Sequence, residues 1–251
     1  MSCITVRGCR IGEGRPKVII PIVERTEAAI LETAAQFSTL RTDCVEWRVD
    51  LFENALNLQS VVRCLAKLRV ALKDKLLLVT LRTKGEGGNA ALEHEAYLHF
   101  IRTVLATDCA DLIDIEFFTA GTDLPALIED AHTAGAAVVC SSHDFHKTPP
   151  RGELVNRMTA MQQAGADLPK LAVMPQCRRD VLELLAATAE MADCHPETPV
   201  ITMSMGALGA VSRLAGEAFG SAMTFANPGQ ASAPGQVSLD IVNEVLATLH
   251  S

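Results

Sequence analysis

Short apolar runs recur along this chain at a spacing of roughly 30 residues, the length of one strand–helix unit. Nothing else in the sequence restricts the fold so strongly. The runs are 17–23 (KVIIPIV), 44–50 (CVEWRVD), 76–82 (LLLVTLR), 111–117 (DLIDIEF), 136–141 (AAVVCS), 170–174 (KLAVM), 199–204 (PVITMS) and 221–225 (SAMTF). Each has the length and aliphatic content of a strand buried in a parallel sheet. The segments between them read as amphipathic helices. Leu58, Val61, Leu65, Leu68 and Leu72 share one helical face, as do Leu239, Val242, Leu246 and Leu249. Asp123 with Pro125 is placed to open a helix, and Gly135 and Gly165 to end helices just before strands.

Eight strands alternating with helices predict a TIM (β/α)8 barrel filling residues 1–251 as one domain. A short hairpin in the polar stretch 4–16 precedes it. An open dinucleotide-binding sheet would want G-x-G-x-x-G after its first strand, and Pro21-Ile22-Val23-Glu24 offers none. Aromatic residues are only 4% of the chain, so the core must be aliphatic. A net charge of -8 argues against a nucleic-acid surface. No apolar run reaches the ~18 residues of a membrane span, and no signal pattern opens the sequence. The eight cysteines are scattered without a C-x-x-C pair. That pattern fits reduced thiols in the cytoplasm better than a disulfide framework or a zinc site.

Several of the predicted strands carry charge inside their apolar runs. Glu46, Arg48 and Asp50 alternate with Val45, Trp47 and Val49; Arg82 ends the third strand; Asp114 and Glu116 share a face of the fourth. His143 follows the fifth strand, Lys170 opens the sixth, and Met203 and Met205 close the seventh. Isolated charges are costly inside a barrel unless paired or used, and barrel enzymes gather functional residues at these strand ends. Any one of them could be an ion paired for structure, and Asp50 is read only as a cap on the loop before Asn54. Asp114 or Glu116 could partner the lysine or the arginines. Alternation puts Lys170 on the face of Ala172 and Met174, with room to reach along the barrel axis. A lysine desolvated there, near other cations, is favoured as the neutral amine that attacks a carbonyl carbon. His143 with His146 lacks the further ligands a metal site requires, so no metal is expected. His94 and His99 read as solvated helix residues, and Met158 and Met161 as packing ones.

The pieces EWRVDLFE (46–53), TLRTKGEGG (80–88), DIEFF (114–118), SHDFHKTP (142–149), KLAVMP (170–175), MSMGALGAVSRLAGEAFGS (203–221) and SAPGQ (232–236) together resemble the type I 3-dehydroquinate dehydratases. These are Schiff-base enzymes of the shikimate pathway. Ser142 is smaller than the residue usual there. The resemblance implies that Lys170 condenses with the ring ketone of 3-dehydroquinate, that His143 is the base and then the acid, and that Glu86 orients His143. Arg213 would take the substrate carboxylate, and Glu46, Arg48 and Arg82 the ring hydroxyls. Met203, Met205 and Phe225 would form apolar walls, and Ser232 and Gln236 would lie on a flap that closes over the substrate. No cofactor is implied, and a homodimer is. Two other readings stand beside this one. A class I aldolase also uses a lysine iminium in a barrel, but acts on sugar phosphates, whereas Arg213 and SAPGQ suit a carboxylate and hydroxyls better. A barrel that binds a small molecule without turnover would need no Lys170, His143, Glu86 and Arg213 together.

Overall fold

The computed structural model describes residues 2–229 and 235–250. Two three-residue strands, β1 (Ile4–Val6) and β2 (Cys9–Ile11), pair antiparallel as the expected hairpin. Eight parallel strands follow: β3 (Lys17–Ile22), β4 (Cys44–Arg48), β5 (Leu76–Thr80), β6 (Leu112–Glu116), β7 (Ala137–Asp144), β8 (Leu168–Val173), β9 (Ile201–Ser204) and β10 (Met223–Asn227). Neighbours in sequence are neighbours in the sheet, and β10 pairs back onto β3. The seam between β9 and β10 is held by a bridge between Val200 and Ser221, with the Ala222 N–H donating to the Val200 carbonyl at 2.8 Å. The ring is thereby closed as a barrel, and a two-residue strand, β11 (Val237–Ser238), pairs in parallel beside the upper end of β10.

The helices are α1 (Glu27–Phe37), α2 (Leu58–Leu72), α3 (His94–Leu105), α4 (Phe117–Ala120), α5 (Leu124–Thr133), α6 (Arg151–Gln163), α7 (Arg178–Cys194), α8 (Gly206–Leu214) and α9 (Leu239–Leu249). Their apolar stripes and the outward strand residues form one core, in which Val61, Leu65, Leu68 and Leu72 of α2 are buried together with Val45, Trp47, Leu77 and Val79. Met158 and Met161 are buried in the same layer, as their spacing on α6 predicts. The second core is the barrel interior. Ile19, Leu76, Leu112, Leu168 and Ile201 fill its lower part, and Val6 and Ile11 of the hairpin join them as a floor.

Strand ends depart from the expected ones by a few residues. After Arg48 the chain turns into a 3₁₀ turn, Val49–Leu51, rather than staying extended to 50. In contrast, β7 runs on to Asp144, because β8 keeps pairing beside it through Asp144↔Val173. Asp123 precedes α5, but its backbone is helical (φ -85°, ψ -6°), and a capping side chain needs an extended residue. Its carboxylate meets His94 Nε2 at 2.9 Å instead, and His94 is exposed as expected while also meeting the Thr119 carbonyl. Leu249, in the last turn of α9, stays half exposed while Leu239, Val242 and Leu246 are buried.

Candidate active site

Side-chain alternation lifts the charged strand residues into the upper barrel. In the β7–β8 ladder Ser141 lies opposite Lys170, and His143 opposite Ala172, so the imidazole stands one inward step above the amine. Glu46 and Arg48 enter from β4, Asp114 and Glu116 from β6, and Phe225 from β10. Arg82 and Glu86 come from the segment after β5, where a 3₁₀ turn (Lys84–Glu86) directs Glu86 inward. Two glycines permit that turn. Gly87 sits at φ +79° with the Phe145 ring 2.3 Å from where a Cβ would stand, and a Cβ on Gly88 would meet the Arg82 carbonyl oxygen at 2.2 Å.

Arg82 is the centre of the buried charge. Its NH1 donates to Glu116 Oε1 at 2.9 Å and to Ser141 Oγ at 3.0 Å, and its NH2 to Asp114 Oδ2 at 2.8 Å. Ser141 Oγ donates in turn to Asp114 Oδ1 at 2.6 Å. Glu116 is fully buried and also accepts from the Thr83 N–H and hydroxyl and from the Thr119 hydroxyl, so it is saturated by the protein. Asp50 is likewise enclosed. It accepts both Nε and NH2 of Arg48 (2.8 and 2.9 Å) and the backbone N–H groups of Arg82 and Asn89. Its place is therefore beneath Arg48, not at a cap before Asn54. Glu46 accepts from the Thr80 hydroxyl at 2.8 Å.

Lys170 is 3% exposed, and its Nζ lies 3.1 Å from Asp114 Oδ2 and 4.8 Å from the centre of the Phe225 ring. His143 Nδ1 is 2.8 Å from Glu86 Oε2, and its ring stacks against Phe145. Burial, reinforced by the cationic Arg82 and Lys170, holds the imidazole well below its ordinary range, so the neutral base form is favoured. Glu86 moves the other way. Burial raises its carboxyl to about 8, against the pull of Arg82, with Glu116 and Asp114 adding repulsion. Its Oε1 has no partner among the described residues. Asp114 is held far below the usual carboxylate range, because the attraction of Arg82 and Lys170 overcomes its burial.

Arg213, on α8, is 2% exposed, and the one hydrogen bond of its side chain among the described residues is NH1 to the Met203 sulfur at 3.5 Å. Its Nε and NH2 find no partner among the described residues, and burial lowers the guanidinium to about 10. Such a group is costly unless an anion joins it. It faces a cavity of about 210 Å³ that Lys170, His143 and Glu86 also line. The same cavity is bounded by Glu46, Arg48, Arg82, Met203, Met205, Phe225 and Gln236. Ser232 lies outside the described residues. Sequence reasoning passed over Phe145 and Gly87, which also line the cavity, and Ser141, which bridges Arg82 and Asp114. The paired glycines 87–88 just after Glu86 were the available signal for Gly87, and the place of Phe145 two residues past His143 was that for Phe145. Ser142 faces outward, accepting from Arg157 at 3.1 Å. The cavity thus joins an amine, an imidazole on a carboxylate and a guanidinium that has no anionic partner among the described residues.

The type I 3-dehydroquinase family model matches residues 18–251. A 3-dehydroquinate dehydratase of Bacillus subtilis is 45% identical over 250 residues, covering 100% of this chain and 98% of that protein. One of Salmonella agona is 44% identical over 250 residues, covering 100% and 99%. The crystal structure of a type I 3-dehydroquinate dehydratase from Clostridium difficile superposes with a TM-score of 0.96 at 42% identity, covering 99% of this chain and 98% of the other. By sequence over its whole length and by fold, the chain belongs to the type I 3-dehydroquinase family.

Proposed function

We propose that this chain, acting as one barrel domain, is a hydro-lyase that dehydrates 3-dehydroquinate to 3-dehydroshikimate through a lysine iminium. The observation that carries the reading is the Arg213 guanidinium, without an ion-pair partner among the described residues, in the cavity shared with Lys170 and His143. A ring bearing both a carboxylate and a ketone satisfies Arg213 and reaches Lys170 at once. Lys170 adds to the ketone carbon, and loss of the oxygen as water leaves a protonated imine. That imine is an electron sink, so the adjacent C–H becomes acidic and His143 Nε2 removes its proton. Glu86 holds Nδ1, which keeps the lone pair of Nε2 directed at the ring. The enamine then expels the β-hydroxyl, which takes the proton from His143 and departs as water. Hydrolysis of the conjugated imine frees Lys170 and the product.

Arg48 is gripped by Asp50 through Nε and NH2, leaving NH1 for a ring hydroxyl, and Glu46 and Arg82 offer further polar contacts. Met203, Met205 and Phe225 supply the apolar walls, and Gln236 completes the lining. No helix among the described residues is long and apolar enough to cross a membrane. All eight cysteines are free, in keeping with a cytoplasmic enzyme. A homodimer is the assembly we expect, and light scattering of the purified protein reads it directly.

The test is incubation with 3-dehydroquinate, borohydride reduction and peptide mass spectrometry. We expect turnover and a reduced adduct on Lys170 that Lys170→Ala lacks. Turnover with no trapped adduct would overturn the lysine mechanism, and neither turnover nor adduct would overturn the assignment.

A further inference from the structure

Asp114 has no part in the steps just described, yet it is the one carboxylate in contact with the Lys170 amine among the described residues. It is 1% exposed and held from three sides: Arg82 NH2 and Lys170 Nζ on Oδ2, and the Ser141 hydroxyl on Oδ1. On another side of Nζ stands the face of Phe225, which has no hydrogen-bond acceptor to offer beyond its π-cloud.

We propose that Asp114 is the counter-ion and orienting acceptor of the iminium formed on Lys170. The atom balance gives the reason, and the inference rests on the reading of Lys170 as the nucleophile. A lysine ammonium has three N–H bonds. When it condenses with a ketone, the new C–N bond forms, the carbonyl oxygen leaves as water with two of those hydrogens, and one N–H and one positive charge stay on nitrogen. That single N–H needs an acceptor, and the carboxylate at 3.1 Å from Nζ is already in place to take it. Asp114 gives and accepts no proton in this step. It sets the direction of the one remaining N–H and therefore the plane of the C=N bond. That plane decides which C–H is presented to His143, whose strand is the one paired with that of Lys170. The charge matters as well. Arg82 is permanently cationic and bonded to the same Asp114 oxygen, so without the carboxylate two cations would face each other in a buried site.

The test compares the native protein with Asp114→Asn and Ser141→Ala. The first keeps the shape but removes the charge; the second keeps the charge but frees Asp114 Oδ1. Each is assayed for kcat and KM on 3-dehydroquinate, and for the fraction of Lys170 trapped by borohydride during turnover. For Asp114→Asn we expect kcat to fall about 100-fold, the size of loss when one preorganised electrostatic partner is removed. KM should change little, because Arg213 and the hydroxyl contacts are intact, and the trapped fraction should fall with kcat. For Ser141→Ala the same pattern is expected at about tenfold. A purely structural role would show as lost folded protein with normal kcat per folded site. Native-like kcat and trapping in Asp114→Asn would overturn the proposal, as would a rise in KM alone. Should Asp114→Asn fail to fold, Ser141→Ala decides by the same two readings. The native protein is the control on the underlying assignment: if it gives no adduct, the lysine mechanism fails before Asp114 is tested.

Discussion

At the scale of single residues, the groups in this cavity are held in states they would not choose in water. The Glu86 carboxyl, raised to about 8, and the His143 imidazole, lowered by burial and two cations, share one hydrogen bond and bind protons as a unit. With its carboxyl raised to about 8, Glu86 is largely protonated at neutral pH and positions the imidazole without placing a charge beside it. Glu86→Gln therefore leaves the charge of the site below about pH 8 unchanged, while the imidazole is held less firmly. The acidic limb of kcat/KM should stay in place, with a fall in kcat of about 10- to 100-fold. A pH–rate profile of the variant checks this, and a displaced limb would contradict it. Arg213 is strained in a different way, as a buried cation without an anion among the described residues. Arg213→Met should lower kcat/KM about 100- to 1000-fold, nearly all of it through KM. It should also raise the melting temperature of the unliganded protein, because an uncompensated buried charge is gone.

Between elements, the lower rim of the barrel repeats one device every second strand. Asp43, just before β4, accepts the Val18 N–H of β3 at 2.8 Å. Asp111, just before β6, accepts the Leu77 N–H of β5 at 2.8 Å, and Asp167, just before β8, accepts the Val138 N–H of β7 at 2.7 Å. Ser221, shortly before β10, does the same for Thr202 of β9 at 3.1 Å. The three carboxylates each bind a cationic or imidazole side chain as well: Arg15, Arg69 and His132. These clamps tie the start of each odd barrel strand to the loop that feeds the next. Asp167→Ala leaves the Val138 N–H without its acceptor and should cost about 1–3 kcal/mol. That loss is read as a lower midpoint in urea with unchanged kcat, since the clamp lies at the end away from the cavity. Ser221→Ala should cost less, its acceptor being neutral. None of this was legible in the chain, because an aspartate before a strand looks like any loop residue and its partner lies about 25 to 35 positions earlier. The strands themselves were legible from their apolar runs, and the cavity from charges set on inward positions of those runs. Asp50 was misread for the same reason the clamps were missed. Its partners Arg82 and Asn89 come from another strand end, which no local pattern announces.

Across the whole molecule, the barrel interior changes character along its axis. Its lower part is aliphatic, closed by Val6 and Ile11 of the hairpin against Ile19, Leu76 and Leu112. Its upper part holds Arg82, Lys170, Asp114, Glu116 and the guanidinium of Arg213, all nearly or fully buried. Hydrophobic burial at the floor and between sheet and helices offsets the cost of gathering these charges at the mouth. Stability and chemistry are thus drawn from opposite ends of one core, and changes at the two ends should separate. Ile11 is fully buried in the floor, so Ile11→Ala leaves a cavity there and should cost about 2–5 kcal/mol. At about 2–4 °C per kcal/mol for a chain of this size, the melting temperature should fall by roughly 4–20 °C. KM and kcat on 3-dehydroquinate, measured well below that temperature, should stay within about twofold of native. Arg213→Met should do the reverse, raising the melting temperature while KM climbs. If Ile11→Ala weakened substrate binding as much as it lowered the melting temperature, floor and mouth would be one mechanical unit, and the separation argued from the axial gradient would fail.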